Sequence, residues 1–515
     1  MVEASNNQNN KRIAKNTLLL YGRMLIGMLI SLYTSRVILN ALGVVDYGIN
    51  NVVGGLVSMF SILSGSLVGS ISRFITFEIG KEDESKLEKL FSTSIWVMIL
   101  LSVIVLILME TVGLWFLNEK MVLPESRVFA ANIVFQGSVF SFIFGLFTVS
   151  YNAVIVAHER MSAFAYLGIL QIFVNLLIVL FVAYSPFVFD KLIVFSILQV
   201  SLSVAMQFFY YHYCRSHFSE SRFNWSFDRT CFKEMGGFAI WNFIGSTAGT
   251  LKDQGINVLL NLFYGPILNA ARGVANSVNM AVSSFVSNFM MAMNPQITKS
   301  YATRDLTYMH SLMERGSRFS YFILLILVLP FLFETDFILT LWLKHYPEHT
   351  ANFVRLILII TMSDSLSNTL ITAQLANGNI RNYQCVVGIT LLMNFPLSYI
   401  FLKLDFPPET TMIVALVLSF CCMILRLLFL RKSVNFSMSH FLRYVYLKVL
   451  VVTLLSIIIP CIISFDLEDG WFRFFFLSIM CVVFSSIFSY TVGCSSHEKK
   501  FVTNLFRKYL KKVFA

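Results

Sequence analysis

The chain is written in apolar blocks of about 20 residues separated by short polar stretches, and that pattern constrains its fold more than any motif does. A block of that length crosses a bilayer core of roughly 30 Å as an α-helix. The composition agrees with a membrane location. The 515 residues are 57% hydrophobic and only 13% charged, too few charges to cover a soluble protein of that size. Mean hydropathy is +0.73. Fourteen spans are predicted, near 17–40, 48–77, 91–117, 128–153, 163–184, 191–212, 236–262, 267–294, 319–343, 351–376, 383–402, 410–430, 445–464 and 471–492. The expected fold class is an all-α polytopic membrane protein. Spans seven and eight are unusually polar.

A net charge of +11 first suggests a nucleic-acid partner. The placement of the charge argues against nucleic acid. With the N-terminus inside, 28 of the 39 Lys and Arg residues fall on inner loops and tails, 8 fall outside, and 3 lie within spans. This is the positive-inside bias, and an even number of spans then leaves both termini cytoplasmic. Basic charge here orients the chain and meets anionic membrane lipid. The first span is too long for a secretion signal, and no small-residue cleavage site follows it. The eight cysteines form no Cys-x-x-Cys pair and lie mostly in spans or inner loops, so no disulfide framework is expected.

The chain also repeats itself. Residues 43–94 lie over 265–316 without a gap, placing Gly43 on Gly265, Ser61 on Ser283 and Leu90 on Leu312. A second window lays 157–175 over 376–394, with Ala157 on Ala376 and Asn175 on Asn394. Six spans per repeat give both halves the same orientation, so the axis relating them stands along the membrane normal. The expected organisation is an N-lobe at 1–212, a cytoplasmic linker at 213–235, and a C-lobe at 236–430. Two extra spans follow at 431–492, then a cytoplasmic tail at 493–515. Within the tail, 498–514 reads as a basic amphipathic helix lying in the headgroup plane.

Two spans carry polar residues at helical spacing. Span seven has Asn242, Ser246, Asp253, Asn257 and Asn261; span eight has Asn269, Arg272, Asn276, Asn279, Ser283 and Ser287. Three- and four-residue intervals put each set on one helix face. Such faces must meet protein or water rather than hydrocarbon. Singly, Asn and Ser read as interhelical hydrogen-bond glue; together, two full polar faces suggest a hydrated cavity. Charges within spans are the sharper signal, at about 2.5–3.5 kcal/mol each on insertion scales. These are Arg23, Lys252, Asp253, Arg272 and Asp364. Asp253 and Arg272 form either a structural ion pair or part of a binding site. Arg23 lies only ~9 Å from the inner end, so it either snorkels or faces the cavity. Asp253 and Asp364 are candidates for a coupling proton or sodium ion. Arg23, Lys252, Arg272, Asn276, Asn279, Asn242 and Asn257 are candidates for substrate contact, and three basic against two acidic groups leave such a cavity slightly cationic.

Elsewhere the chemistry is sparse. Arg36, Arg73, Glu78 and Glu110 sit near span ends and read as loop or snorkelling residues. His158, His310 and His345 fall in loops without metal-ligand spacing, and Asp405 and Glu409 read as ordinary loop charges. No phosphate-binding Gly-rich loop and no partnered nucleophile is evident. Span two is rich in small residues, among them Gly54, Gly55, Gly65 and Gly69, which suit close helix packing or sliding.

The stretch from Thr34-Ser35-Arg36-Val37 through Ala41-Leu42-Gly43 to Asp46-Tyr47-Gly48 resembles the start of bacterial polysaccharide (Wzx-like, O-antigen and capsule) flippases. These belong to the multidrug/oligosaccharidyl-lipid/polysaccharide exporter superfamily. The likeness extends to the span count and to the short loop at Ala157–Met161. It implies two six-helix lobes around a central cavity, with two extra C-terminal helices. It also implies movement of an undecaprenyl-diphosphate-linked oligosaccharide across the bacterial cytoplasmic membrane, with contact to polysaccharide polymerase machinery. No bound cofactor is implied; coupling to a proton or sodium gradient is. A second expectation within the superfamily is an ion-coupled exporter of cationic drugs, whose cavity would favour acids and aromatics. A membrane-embedded glycan polymerase or ligase is a third, disfavoured because no outer loop exceeds roughly a dozen residues.

Overall fold

The computed structural model describes residues 2–58, 60–81, 84–119, 124–185, 190–225, 227–264, 266–343, 345–464, 467–496, 498–499 and 503. It is 90% helical, and no strand occurs among the described residues. By internal contacts the chain forms two compact units, Met1–Ser246 with Thr298–Arg304, and Thr247–Ile297 with Asp305–Ala515.

The first unit begins with α1 (Val2–Ser58), α2 (Ser61–Lys81) and α3 (Glu84–Leu108), the last prolonged through a π-turn at Met109–Gly113 to Leu114–Glu119. Then come α4 (Val128–Ala157), α5 (Met161–Tyr184), α6 (Lys191–His217) and the start of α7 (Arg229–Tyr264). Helix α4 packs on α6 and α2, and α1 packs on α5. The second unit holds most of α8 (Pro266–Ala302), then α9 (Leu306–Phe333) and a broken span α10. The two pieces of α10, Thr350–Ser365 and Asn368–Asn377, meet at 42°. Next are α11 (Arg381–Leu392, continued by Asn394–Lys403), α12 (Thr410–Val434), α13 (Leu447–Ser464) and α14 (Trp471–Phe488).

Among the described residues ten helices are long and apolar enough to cross a membrane, and eleven with the bent α10 pair. The remaining three of the fourteen predicted spans fall on α2 with the end of α1, on α7 and on α8. Helices α7 and α8 run for 36 and 37 residues, and their polar faces are what set them apart.

Span two departs from the unbroken helix expected at 48–77. Helix α1 turns at Gly43 and stops at Ser58, the Phe60 N–H closes a turn on the Val57 carbonyl at 3.1 Å, and α2 starts at Ser61. Gly54, Gly55, Ser58 and Ser61 surround the break, and glycine weakens a helix by about 1 kcal/mol relative to alanine. At Gly43 itself φ is 77° and ψ is 168°, a backbone state essentially confined to glycine.

Asp46, three residues past that turn, explains the Leu-Gly-x-x-Asp-Tyr-Gly segment. The Arg127 guanidinium donates to Asp46 from Nε at 2.7 Å and also from Nη2, and to Asp190 from Nη1 at 2.5 Å. Asp190 meanwhile caps α6 by accepting from the Leu192 and Ile193 N–H groups at 3.0 and 3.4 Å. Partial burial pushes the Asp190 carboxyl up, but the Arg127 hydrogen bond and the capping N–H groups outweigh it and hold the carboxyl below its ordinary value.

The second unit has a counterpart. His349, which precedes α10 as Arg127 precedes α4, shares a 2.6 Å hydrogen bond between Nδ1 and Oε1 of Glu409. Asn352 donates to the same oxygen at 2.9 Å, and Glu409 precedes α12 as Asp190 precedes α6. The register that lays Gly43 on Gly265 also lays Arg127 on His349, and the register that lays Ala157 on Ala376 lays Asp190 on Glu409. Each unit thus ties its fourth helix to its sixth through a charged pair at matching positions of the expected repeat. Glu409 is more than an ordinary loop charge because two neighbouring donors converge on it.

Candidate functional site

Most of the polar residues predicted to matter gather in the second unit, on α7, α8, α10 and α12. Arg272 of α8 is 3% exposed. Its Nη1 donates to the Asp253 backbone carbonyl and to Asn257 Oδ1 of α7, both at 2.7 Å, while Nη2 lies 3.7 Å from Asp253 Oδ1. One guanidinium fork therefore stitches the two polar helices together, a geometry that a lysine point charge could not reproduce. The Arg272 Nε–H has no protein partner among the described residues. Asn257 in turn donates to Gln254 at 3.0 Å. The Asp253 side chain is 59% exposed, and Lys252 reaches back to within 3.6 Å of it despite pointing to another face of the helix. The long flexible lysine stem makes this approach possible.

Further along α8, Asn279 Oδ1 accepts from Ser283 at 3.1 Å and from Thr361 of α10. Asn294 accepts from Thr372 at 2.8 Å, on the second piece of the broken span. The α8 stripe thus bonds both sides of the α10 break. Asn276 is half-buried and has no side-chain hydrogen bond among the described residues. Asp364 sits in the last turn before the break, where Ser419 of α12 donates to its Oδ1. At the break the Leu366 N–H turns back on the Ser363 carbonyl at 3.2 Å and the Ser367 N–H on the Asp364 carbonyl at 2.9 Å. The side chains of Asn261 and Asn269 lie outside the described residues.

Two candidates belong to the first unit. Arg23 stacks its guanidinium over the Phe164 ring of α5, 4.3 Å from the centroid, and fills the space that the missing side chain of Gly168 leaves. Asn242 rests against the bare backbone of α2 at Gly69. The predicted basic tail lies outside the described residues except at 498, 499 and 503.

Sequence reasoning passed over several buried charges. Arg426 is buried within α12 beside Tyr383 and in electrostatic reach of Asp364. The signal was present, since it stands well inside a 25-residue helix. Glu78 is buried and paired with Lys86 at 2.9 Å, and Arg73 lies over the rings of Phe74, Phe77 and Phe238. Glu498 is buried between Arg318 Nη2 at 2.8 Å and Arg315 Nε at 3.5 Å. No cluster of three or more potential metal ligands occurs among the described residues.

Solved structures share this fold. A transporter called MATE, in its bent conformation, matches with a TM-score of 0.72 at 13% identity, over 83% of this chain and 96% of that one. An outward-facing multidrug resistance MATE family transporter of the MOP superfamily gives 0.71 at 13% identity over the same shares. A MOP superfamily transporter from Pyrococcus furiosus, described as having a binding pocket of reverse polarity, gives 0.67 at 13%, over 82% of this chain and 96% of that one. The chain accordingly shares the fold of these structures, and its many apolar helices make it a multi-pass membrane protein. A family model described as polysaccharide biosynthesis protein matches residues 13–301, more than half of the chain, and the chain belongs to that family. No curated protein matches the sequence.

Proposed function

We propose that the protein is a flippase that moves undecaprenyl-diphosphate-linked oligosaccharide repeat units across the bacterial cytoplasmic membrane by alternating access, for surface polysaccharide export. The observation that carries this reading is Arg272, a nearly fully buried arginine on a polar helix of a polysaccharide-biosynthesis family member. Its fork orders α7 against α8 and leaves the Nε–H for another acceptor. Arginine suits phosphate oxygens, which accept its planar donors in pairs. Lys252 adds a second cation beside it, and the exposed carboxylate of Asp253 requires water at that level of the helix. The glycan would follow this wet surface while the polyprenyl tail stays in lipid. Asp364, at the α10 break, and Asp253 are the groups proposed to take up the coupling proton or sodium ion.

The second reading, export of cationic drugs, draws on the multidrug fold relatives. The Pyrococcus furiosus relative, with its reversed pocket polarity, is the better guide for a chain whose spans α7, α8, α10 and α12 hold Arg272, Lys252 and Arg426 against Asp253 and Asp364. The deciding experiment deletes the gene in its host and extracts the lipid-linked glycans. Complete repeat units accumulating on undecaprenyl diphosphate, with surface polysaccharide lost, are expected. Normal surface glycan together with new sensitivity to cationic compounds would replace this reading with drug export.

A further inference from the structure

A cavity of about 510 Å³ opens within the first unit where α4 and α6 end and α3 begins. Its polar lining comes from Tyr151 of α4, Gln207, Tyr211 and Arg215 of α6, and Arg222 and Asn224 of the segment after α6. That segment is fastened rather than loose. The Asn224 N–H donates to Ser92 Oγ at 3.1 Å, and Trp225 packs edge-on against Trp96 and Phe223 with centroids 5.8 and 5.5 Å away. The charge is one-sided. Arg215 donates to the Tyr211 hydroxyl, and among the described residues neither Arg215 nor Arg222 pairs with a carboxylate.

Toward the membrane interior the flanking surface is apolar. Leu100, Val103 and Ile107 follow Trp96 at helical spacing along α3, and all three are exposed. Val204 and Phe208 precede Tyr211 and Arg215 on α6 in the same way, also exposed. Trp225, 81% exposed, stands beside the cationic mouth. Two arginines with no carboxylate partner among the described residues, below an apolar wall and beside an exposed indole, match an amphiphile with an anionic head. Tryptophan favours that depth because its ring is apolar and its N–H needs a polar partner.

We propose that this cavity binds one anionic phospholipid from the leaflet on the basic face of the membrane. The phosphate lies on Arg215 and Arg222 with the Tyr211 hydroxyl adjacent, and the acyl chains run along the α3–α6 wall. The assignment rests on membrane insertion and is independent of what the protein transports.

The test uses the full-length chain in detergent and native mass spectrometry with phosphatidylglycerol and phosphatidylethanolamine. Wild type is expected to hold one phosphatidylglycerol about tenfold more tightly than phosphatidylethanolamine, since each arginine near the surface contributes to anionic-lipid attraction. In R215Q/R222Q that preference should vanish. Brominated phosphatidylglycerol should quench wild-type tryptophan fluorescence more than that of W225F. If the double variant does not elute as a monodisperse peak, the wild-type preference and the Trp225 quenching decide. Equal binding of the two lipids to wild type, or an unchanged preference in a well-folded double variant, overturns the proposal. Displacement of the lipid by millimolar glycerol 3-phosphate would assign the site to a soluble phosphate compound and overturn it as well.

Discussion

Single buried charges carry the most specific consequences. Arg272 binds the Asp253 carbonyl and Asn257 through one nitrogen, so alanine at 272 removes both bonds while leaving no buried charge behind. Arg272→Ala is expected to abolish accumulation of surface glycan while the variant still inserts and purifies; unimpaired glycan export by the folded variant would remove Arg272 from the site. Glu498 is the opposite case. Its removal leaves Arg318, itself buried, with only the Gly493 carbonyl at 2.7 Å among the described residues. Stranding one partner of a buried pair costs about 3–5 kcal/mol. Glu498→Ala should therefore lower the thermal midpoint of the purified protein clearly, and Glu498→Gln, which keeps a hydrogen-bond acceptor, should lower it less.

Elements are joined by turns and by charged caps. At Gly43 the backbone occupies a glycine-only region, and nothing lies within 4 Å of where a Cβ would be. Gly43→Ala should then cost about 1–3 kcal/mol through the backbone alone. Gly22→Ala, in open helix with equally free space, should be neutral or stabilising by up to about 1 kcal/mol. Equal melting temperatures for the two variants would contradict this account. The paired caps make a pH prediction. At Glu409 burial raises the carboxyl, but the His349 and Asn352 hydrogen bonds outweigh it and the folded-state value lies below the ordinary one. A depressed carboxyl contributes its full stabilisation above the unfolded-state value and loses it as pH falls through the folded-state value. Melting curves taken from pH 7 down to pH 3 should show a smaller acid-side loss in Glu409→Gln than in wild type, and parallel curves would refute the linkage.

At the scale of the whole molecule, the proposed flippase would draw its energy from a proton or sodium gradient. Asp364 stands at the break in α10, with Ser419 donating to it and Arg426 nearby. Broken helices place polar backbone inside a membrane protein, where an acid can exchange an ion. In reconstituted vesicles, Asp364→Asn should make lipid-linked glycan movement insensitive to an imposed proton or sodium gradient, while wild type responds to one of them. An equal response from both would exclude Asp364 as the coupling group. A ligand can shift the two openings only by its differential affinity for them, so loss of the ion site should slow turnover even where substrate still binds.

How much of this was legible beforehand depends on the range of the interaction. Apolar blocks of about 20 residues specified the helices, because hydrocarbon forces the backbone to satisfy itself within each segment. The polar faces of α7 and α8 were readable from three- and four-residue spacing, whereas Asp253 and Arg272 were legible only as either an ion pair or part of a binding site. The interruption of span two was not anticipated, although the glycine and serine cluster that weakens the helix there is plain in the chain. Contacts between distant residues escaped entirely. Arg127 meets Asp46 and Asp190 from 81 and 63 positions away, His349 meets Glu409 from 60 positions away, and no periodicity encodes those partners. Sequence alone determined that this is a helical membrane protein, since local hydrophobicity answers to the solvent around each segment. Only the tertiary structure decided which buried charges face each other, because that follows from how helices pack and where their ends are brought together.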